Sequence, residues 1–183
     1  MAKRYGMVID LSRCIGCNAC TVACKAENDV ADWESRTRIE EECEGEFPNF
    51  SLTLRKVACM HCENAICIKV CPVKASYQNK DGVVLINKDR CVGCKYCILA
   101  CPYKARYLNK NTGLADKCTF CVHRLEKGLK PACVQNCMGK ALIFGDLNDP
   151  KSEVSKAKAT GAVIFHCEYG NRPAVTYIPN RRC

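Results

Sequence analysis

An α+β fold assembled from a duplicated unit is what this 183-residue sequence predicts. Three observations lead there. The segments VIDLSRCIGCNACTVAC, ending at Cys24, and LINKDRCVGCKYCILAC, ending at Cys101, lie over one another, and CIKVCPVKA (Cys67 to Ala75) echoes CVQNCMGKA (Cys133 to Ala141). Short β-prone runs alternate with the cysteine groups, and turn residues punctuate them. Nineteen cysteines make up about a tenth of the chain, and a chain so rich in thiols is either stapled by disulfides or built around inorganic cores.

Along the chain, the runs Gly6 to Asp10, Leu52 to Val57, Val83 to Ile86, Ile143 to Phe144, Val163 to Cys167 and Ala174 to Ile178 are expected as strands. In each long repeat a strand leads through a cysteine loop into a helix. Asn79-Lys80-Asp81-Gly82 and Asn111-Thr112-Gly113 read as hairpin turns. The stretch Asn28 to Pro48 is acidic and weakly periodic, so it is expected as a surface loop containing Trp33 and Cys43. Asp149 before Pro150 fits an N-cap with proline at the first helical position, opening a short helix that Gly161 ends.

The cysteines fall into four groups. Group I (Cys14, Cys17, Cys20, Cys24) and group III (Cys91, Cys94, Cys97, Cys101) are both C-x2-C-x2-C-x3-C. That run places three thiolates on one iron-sulfur cube and gives the fourth to the neighbouring cube. With the third cysteine opening a helix and the fourth one turn on, the two side chains share a face but stand a turn apart, too far for one cluster. Group II is Cys59, Cys62, Cys67 and Cys71; group IV is Cys118, Cys121, Cys133 and Cys137, with eleven residues between its middle pair. Group IV alone also suits tetrahedral zinc, but it repeats group II in a chain already committed to clusters. Disulfide scaffolding conflicts with the close regular spacing and gives the Cys-Pro endings no role.

Cys71 and Cys91 enclose a short hairpin like the link between the halves of a two-cluster ferredoxin, so groups II and III pair, leaving I with IV. Exchange of fourth ligands then gives four [4Fe-4S] sites. They are Cys59, Cys62, Cys67, Cys101; Cys91, Cys94, Cys97, Cys71; Cys14, Cys17, Cys20, Cys137; and Cys118, Cys121, Cys133, Cys24. The expected architecture is a duplicated bacterial-ferredoxin-like fold, two 2[4Fe-4S] modules with β-hairpin insertions. Residues 1–50 plus 102–183 form the outer module with groups I and IV and a C-terminal extension, and residues 51–101 the inner module with groups II and III.

Three cysteines remain. Cys167 in its strand-like run is expected as a small buried hydrophobe, Cys183 as a free thiol, and Cys43 has no assigned role. His61, His123 and His166 are not needed as ligands, because every group already has four sulfurs. Tyr96, between two ligands, is expected to pack on its cluster and exclude water, which bears on the reduction potential.

The formal charge of +9 suggests a nucleic acid or an anionic membrane, yet no long basic run or aromatic ladder supports nucleic-acid binding. Four oxidised sites at about −2 each offset about eight of those charges, so the basic residues mostly balance buried cluster charge. No apolar stretch approaches the ~20 residues that span a bilayer, and MAKRYGMVIDLSRC has no apolar signal region. Nothing resembles a nucleophile elbow, a phosphate loop or a dinucleotide fingerprint.

From RYGMVIDLSRCIGCNAC through KCTFCVHRLEKGLKPACVQNC to GDLNDP, the chain resembles the four-cluster electron-transfer subunit of the dimethyl sulfoxide reductase (molybdopterin oxidoreductase) family, and most of all the iron-sulfur subunit of polysulfide or thiosulfate reductases. The resemblance implies a non-catalytic subunit that relays electrons between a molybdenum or tungsten bis-pterin catalytic subunit and an integral membrane quinone-binding subunit. It also implies association with the membrane through those partners, on the extracytoplasmic side after export with the catalytic subunit, or on the cytoplasmic face. Met138 stands after Cys137 where relatives often have proline, and the C-terminal membrane helix of some formate dehydrogenase relatives is missing. The alternative within electron transfer is a polyferredoxin subunit of a hydrogenase, a formate dehydrogenase or a cytoplasmic reductase.

Overall fold

A computed structural model describes residues 3–165 and 167–180. The expectations for His166, for the Cys167 side chain and for Cys183 lie outside the described residues. β1 (Tyr5–Asp10) is the middle strand of a sheet, antiparallel to β8 (Leu142–Asp146) and parallel to β9 (Val175–Ile178). Its pattern is buried on both faces. Met7 and Ile9 join Leu142, Phe144, Val175 and Tyr177 in the core, while Val8, also fully buried, belongs to the other face. Helix α6 (Glu153–Ala159) packs across β8 and β1 and seats its buried Val154 against Gly145.

That helix starts later than expected. Its N-cap is Ser152, whose hydroxyl oxygen accepts from the Ser155 N–H at 3.2 Å, whereas Asp149 closes the preceding turn by accepting from the Lys151 and Ser152 amides. Gly161, at φ +94°, does follow its end. Ser152→Ala should cost about 1 kcal/mol, read as a lower denaturation midpoint.

The acidic stretch expected as a loop is a strand for about half of its length. β2 (Thr37–Glu46) pairs along all ten residues with β3 (Asn49–Ala58). Leu52 and Leu54 of β3 stand opposite Cys43 and Glu41, so β3 imposes an extended partner on residues with little strand preference of their own. Cys43 is exposed on that ribbon, and Trp33 remains in the loop between α1 (Ala19–Asn28) and β2.

Two small hairpins complete the repeat: β4 (Ser76–Gln78) with β5 (Val84–Ile86), and β6 (Arg106–Leu108) with β7 (Ala115–Lys117). Each turn is fastened by an asparagine. The Asn79 side-chain oxygen accepts from the amides of Asp81 and Val83, and that of Asn109 from Asn111 and Thr112. The run Val163 to Cys167 is not a strand: Val163 makes one bridge to Tyr177, and Cys167–Tyr169 is a turn of 3-10 helix. At the centre Phe120 stacks on His61 with ring centres 3.7 Å apart and meets Phe144 edge-on at 5.2 Å. Among the described residues no helix is long and apolar enough to cross a membrane.

Candidate metal centres

Each third cysteine occupies the second position of a helix. Cys20 lies so in α1, Cys67 in α2 (Ile66–Lys69), Cys97 in α3 (Tyr96–Leu99) and Cys133 in α5 (Ala132–Gln135), which follows α4 (Val122–Leu125). The fourth cysteine comes four residues later, at 24, 71, 101 and 137. Cys24 is still inside the longer α1, whereas the other three lie just past one-turn helices.

The fold gathers the sulfurs across the groups. One hollow is lined by Cys14, Cys17, Cys20 and Cys137, a second by Cys59, Cys62, Cys67 and Cys101, and a third by Cys71, Cys91, Cys94 and Cys97. Cys24 leaves its own group for Cys118, Cys121 and Cys133, whose charges it feels most strongly. The Asn28 amide spans that fourth meeting point, 3.7 Å from the Cys24 sulfur and 3.8 Å from that of Cys121. We label these sites I, II, III and IV by the group that supplies three of their four cysteines.

Chemically the hollows suit an iron-sulfur cube. Burial pushes the Cys24 thiol up to about 12, with Cys118, Cys133 and Cys121 adding to the shift, and Cys62 likewise to about 12 through burial and its neighbours Cys59, Cys67 and Cys101. Thiols crowded this closely resist ionising together, and bound iron supplies the positive charge that lets them do so.

Backbone amides aimed at sulfur complete the sites, a feature the cysteine spacing does not reveal. The Ala75 N–H donates to the Cys71 sulfur at 3.2 Å, the Ala141 N–H to Cys137 at 3.3 Å, and the Ala105 N–H to Cys101. In each case the preceding lysine (Lys74, Lys140, Lys104) has positive φ, which turns the alanine amide back toward the sulfur. The sequence signal for them is a Lys-Ala pair three and four residues after Cys71, Cys101 and Cys137. Such bonds favour the more negative, reduced state of a cluster.

Other side chains fall as follows. His61 is buried, its Nδ1 accepting the Val84 N–H at 3.1 Å, and burial holds it well below the usual imidazole range, with Lys117, Arg106 and Lys56 adding to the effect. His123 pairs with Glu27 at 2.8 Å on the surface. Tyr96 does not exclude water from site III: it is 59% exposed, because its place at the first position of α3 turns it outward while Cys97 turns in.

Sites I and III reach the surface through exposed Cys17 and Cys94, and exposed apolar residues stand in the same sequence positions beside each: Ile15 and Val22 in group I, Val92 and Leu99 in group III. The loop glycines in the two repeats differ. Gly93 has φ +67°, and a Cβ there would meet the Gly113 carbonyl oxygen at 2.5 Å; at Gly16, also φ +67°, it would meet only the end of Leu54 at 3.0 Å. Both alanine variants carry about 1–2 kcal/mol of left-handed strain. Gly93→Ala should in addition displace backbone and lose iron from site III, whereas Gly16→Ala keeps its cluster; iron per chain after gel filtration separates the two.

Comparison with known proteins agrees with this chemistry. The family description 4Fe-4S dicluster domain matches residues 50–147 and, in a second form, residues 13–75. The chain is 45% identical to a component of the polysulfide reductase of Wolinella succinogenes, over 100% of this chain and 97% of the relative. It is 46% identical to a subunit of the tetrathionate reductase of Salmonella typhimurium, covering 96% of this chain and 72% of the relative. It is 47% identical to a thiosulfate reductase electron transfer subunit of Salmonella typhi, covering 85% and 82%.

Proposed function

The chain belongs to the 4Fe-4S dicluster family of iron-sulfur electron-transfer subunits, and from that membership we propose that it carries four [4Fe-4S] clusters in the order I, IV, II, III. The observation that carries this reading is the crossing of fourth cysteines between groups. Site I takes Cys14, Cys17, Cys20 and Cys137; site IV takes Cys118, Cys121, Cys133 and Cys24; site II takes Cys59, Cys62, Cys67 and Cys101; site III takes Cys91, Cys94, Cys97 and Cys71. Sites I and IV feel one another through Cys20 and Cys133, and sites IV and II through Cys118 and Cys59. The corresponding modules are residues 1–50 plus 102–183 for sites I and IV, and 51–101 for sites II and III.

The clusters supply one-electron redox chemistry; the chain's own part is to hold them in line, keep sites IV and II in the interior and open sites I and III to partners. Exposed apolar side chains beside Cys17 and Cys94 fit docking surfaces at both ends. One end would meet a molybdenum or tungsten bis-pterin catalytic subunit and the other a membrane quinone-binding subunit, in a polysulfide- or thiosulfate-type respiratory reductase on the extracytoplasmic face. The relatives named above are reductase subunits, which favours this reading over a polyferredoxin.

The test is anaerobic purification of the native complex through this chain. Near one molybdenum or tungsten per chain, with a co-purifying hydrophobic subunit, is expected. Iron with neither heavy metal would overturn the reductase assignment and leave a polyferredoxin.

A further inference from the structure

Three cations lie deep in the protein: Lys56 is 2% exposed, Lys117 1% and Arg106 5%. Among the described residues none of them pairs with a carboxylate. A buried charge is costly without a counter-charge, so their surroundings must provide one, and each cation lies between two cysteine sites. The Arg106 guanidinium lines site II and donates to the Cys67 sulfur at 2.9 Å, while its other arm donates at 2.9 Å to Ser76 Oγ, and Ser76 lines site III. The Lys117 ammonium bonds the carbonyl of Val84, which lines site II, and at 2.8 Å that of Cys118, a cysteine of site IV. Lys56 lines site I, and Cys133 and Cys118 of site IV are the strongest charges acting on it. Its ammonium lies 3.9 Å from the Met7 sulfur.

We infer that Lys56, Lys117 and Arg106 are positioning residues for electron transfer, one at each junction of the relay (I to IV, IV to II, II to III), each raising the reduction potentials of the two clusters it separates. The inference rests on the four-cluster reading. When an electron passes along the relay, the receiving cluster becomes more negative by one charge and the donor less negative by one. A fixed cation between them stabilises whichever holds the electron, and in a low-dielectric interior it also offsets repulsion between two reduced neighbours. Three buried positive charges thereby keep interior sites IV and II from becoming barriers between the exposed ends.

The experiment is an EPR-monitored redox titration of the purified complex carrying Arg106→Gln, Arg106→Lys or Lys117→Met, with iron determined on each sample. Arg106→Gln should lower the potentials of clusters II and III and leave I and IV where they were, and Arg106→Lys should restore most of the shift. Lys117→Met should instead lower IV and II, which keeps the inference testable if Arg106→Gln loses iron. Unchanged potentials at full iron content, or equal shifts of all four clusters, would overturn the inference alone. A wild-type complex that lacks four clusters would instead overturn the reading beneath it.

Discussion

Cys24→Ala should alter the cluster of group IV and spare that of group I, although Cys24 belongs to group I by sequence. Cys24 is buried in α1, one turn beyond Cys20, and the thiols acting on it are Cys118, Cys133 and Cys121. Asn28 reaches the sulfurs of Cys24 and Cys121 from that same helix. Removing the side chain takes one of four thiolates from an interior site, so about one cluster in four should lose its native EPR signal. Two reference variants make the assignment unambiguous. The Cys24→Ala spectrum should match that of Cys118→Ala and differ from that of Cys14→Ala; the reverse match would show that the fourth ligands do not cross.

Phe120→Ala should cost about 3–5 kcal/mol. Phe120 is 2% exposed, lies flat on His61 and meets Phe144 of β8 edge-on, so it joins the cysteine loops to the main sheet. Its own backbone is at φ +53°, and its N–H donates to the Cys118 sulfur at 3.4 Å. Alanine keeps that amide but leaves a cavity between His61 and Phe144. Anaerobic guanidinium unfolding, followed by loss of cluster absorbance, should show a clearly lower midpoint and faster bleaching. A midpoint equal to wild type would mean that the clusters alone hold this region together.

Features governed by local chemistry were legible in the sequence. The hairpin between β4 and β5 could be read from Asn79 to Gly82, and the cysteine spacing alone suggested which thiols cannot share a cluster. The strands of the main sheet carry their own β-prone runs, Gly6 to Asp10 and Ala174 to Ile178. What escaped depends on partners distant in sequence. β2 is a run of glutamates that becomes a strand because β3 lies beside it. Arg106 and Lys117 look like ordinary surface charges until folding buries them between cysteine groups. The amides of Ala75, Ala105 and Ala141 are backbone groups, and only the left-handed lysine before each would have pointed to them. Tyr96 stands exposed although it lies between ligands, because nearness in sequence does not say which way a helical side chain turns.

Four [4Fe-4S] clusters are proposed to occupy this one chain. The most direct test is iron and acid-labile sulfide determined together, anaerobically, on the chain separated from its partners. About sixteen of each per chain is predicted, from four cubes of four iron and four sulfide. About eight of each would mean that only one ferredoxin-like module is loaded, and zinc without sulfide would contradict the account altogether.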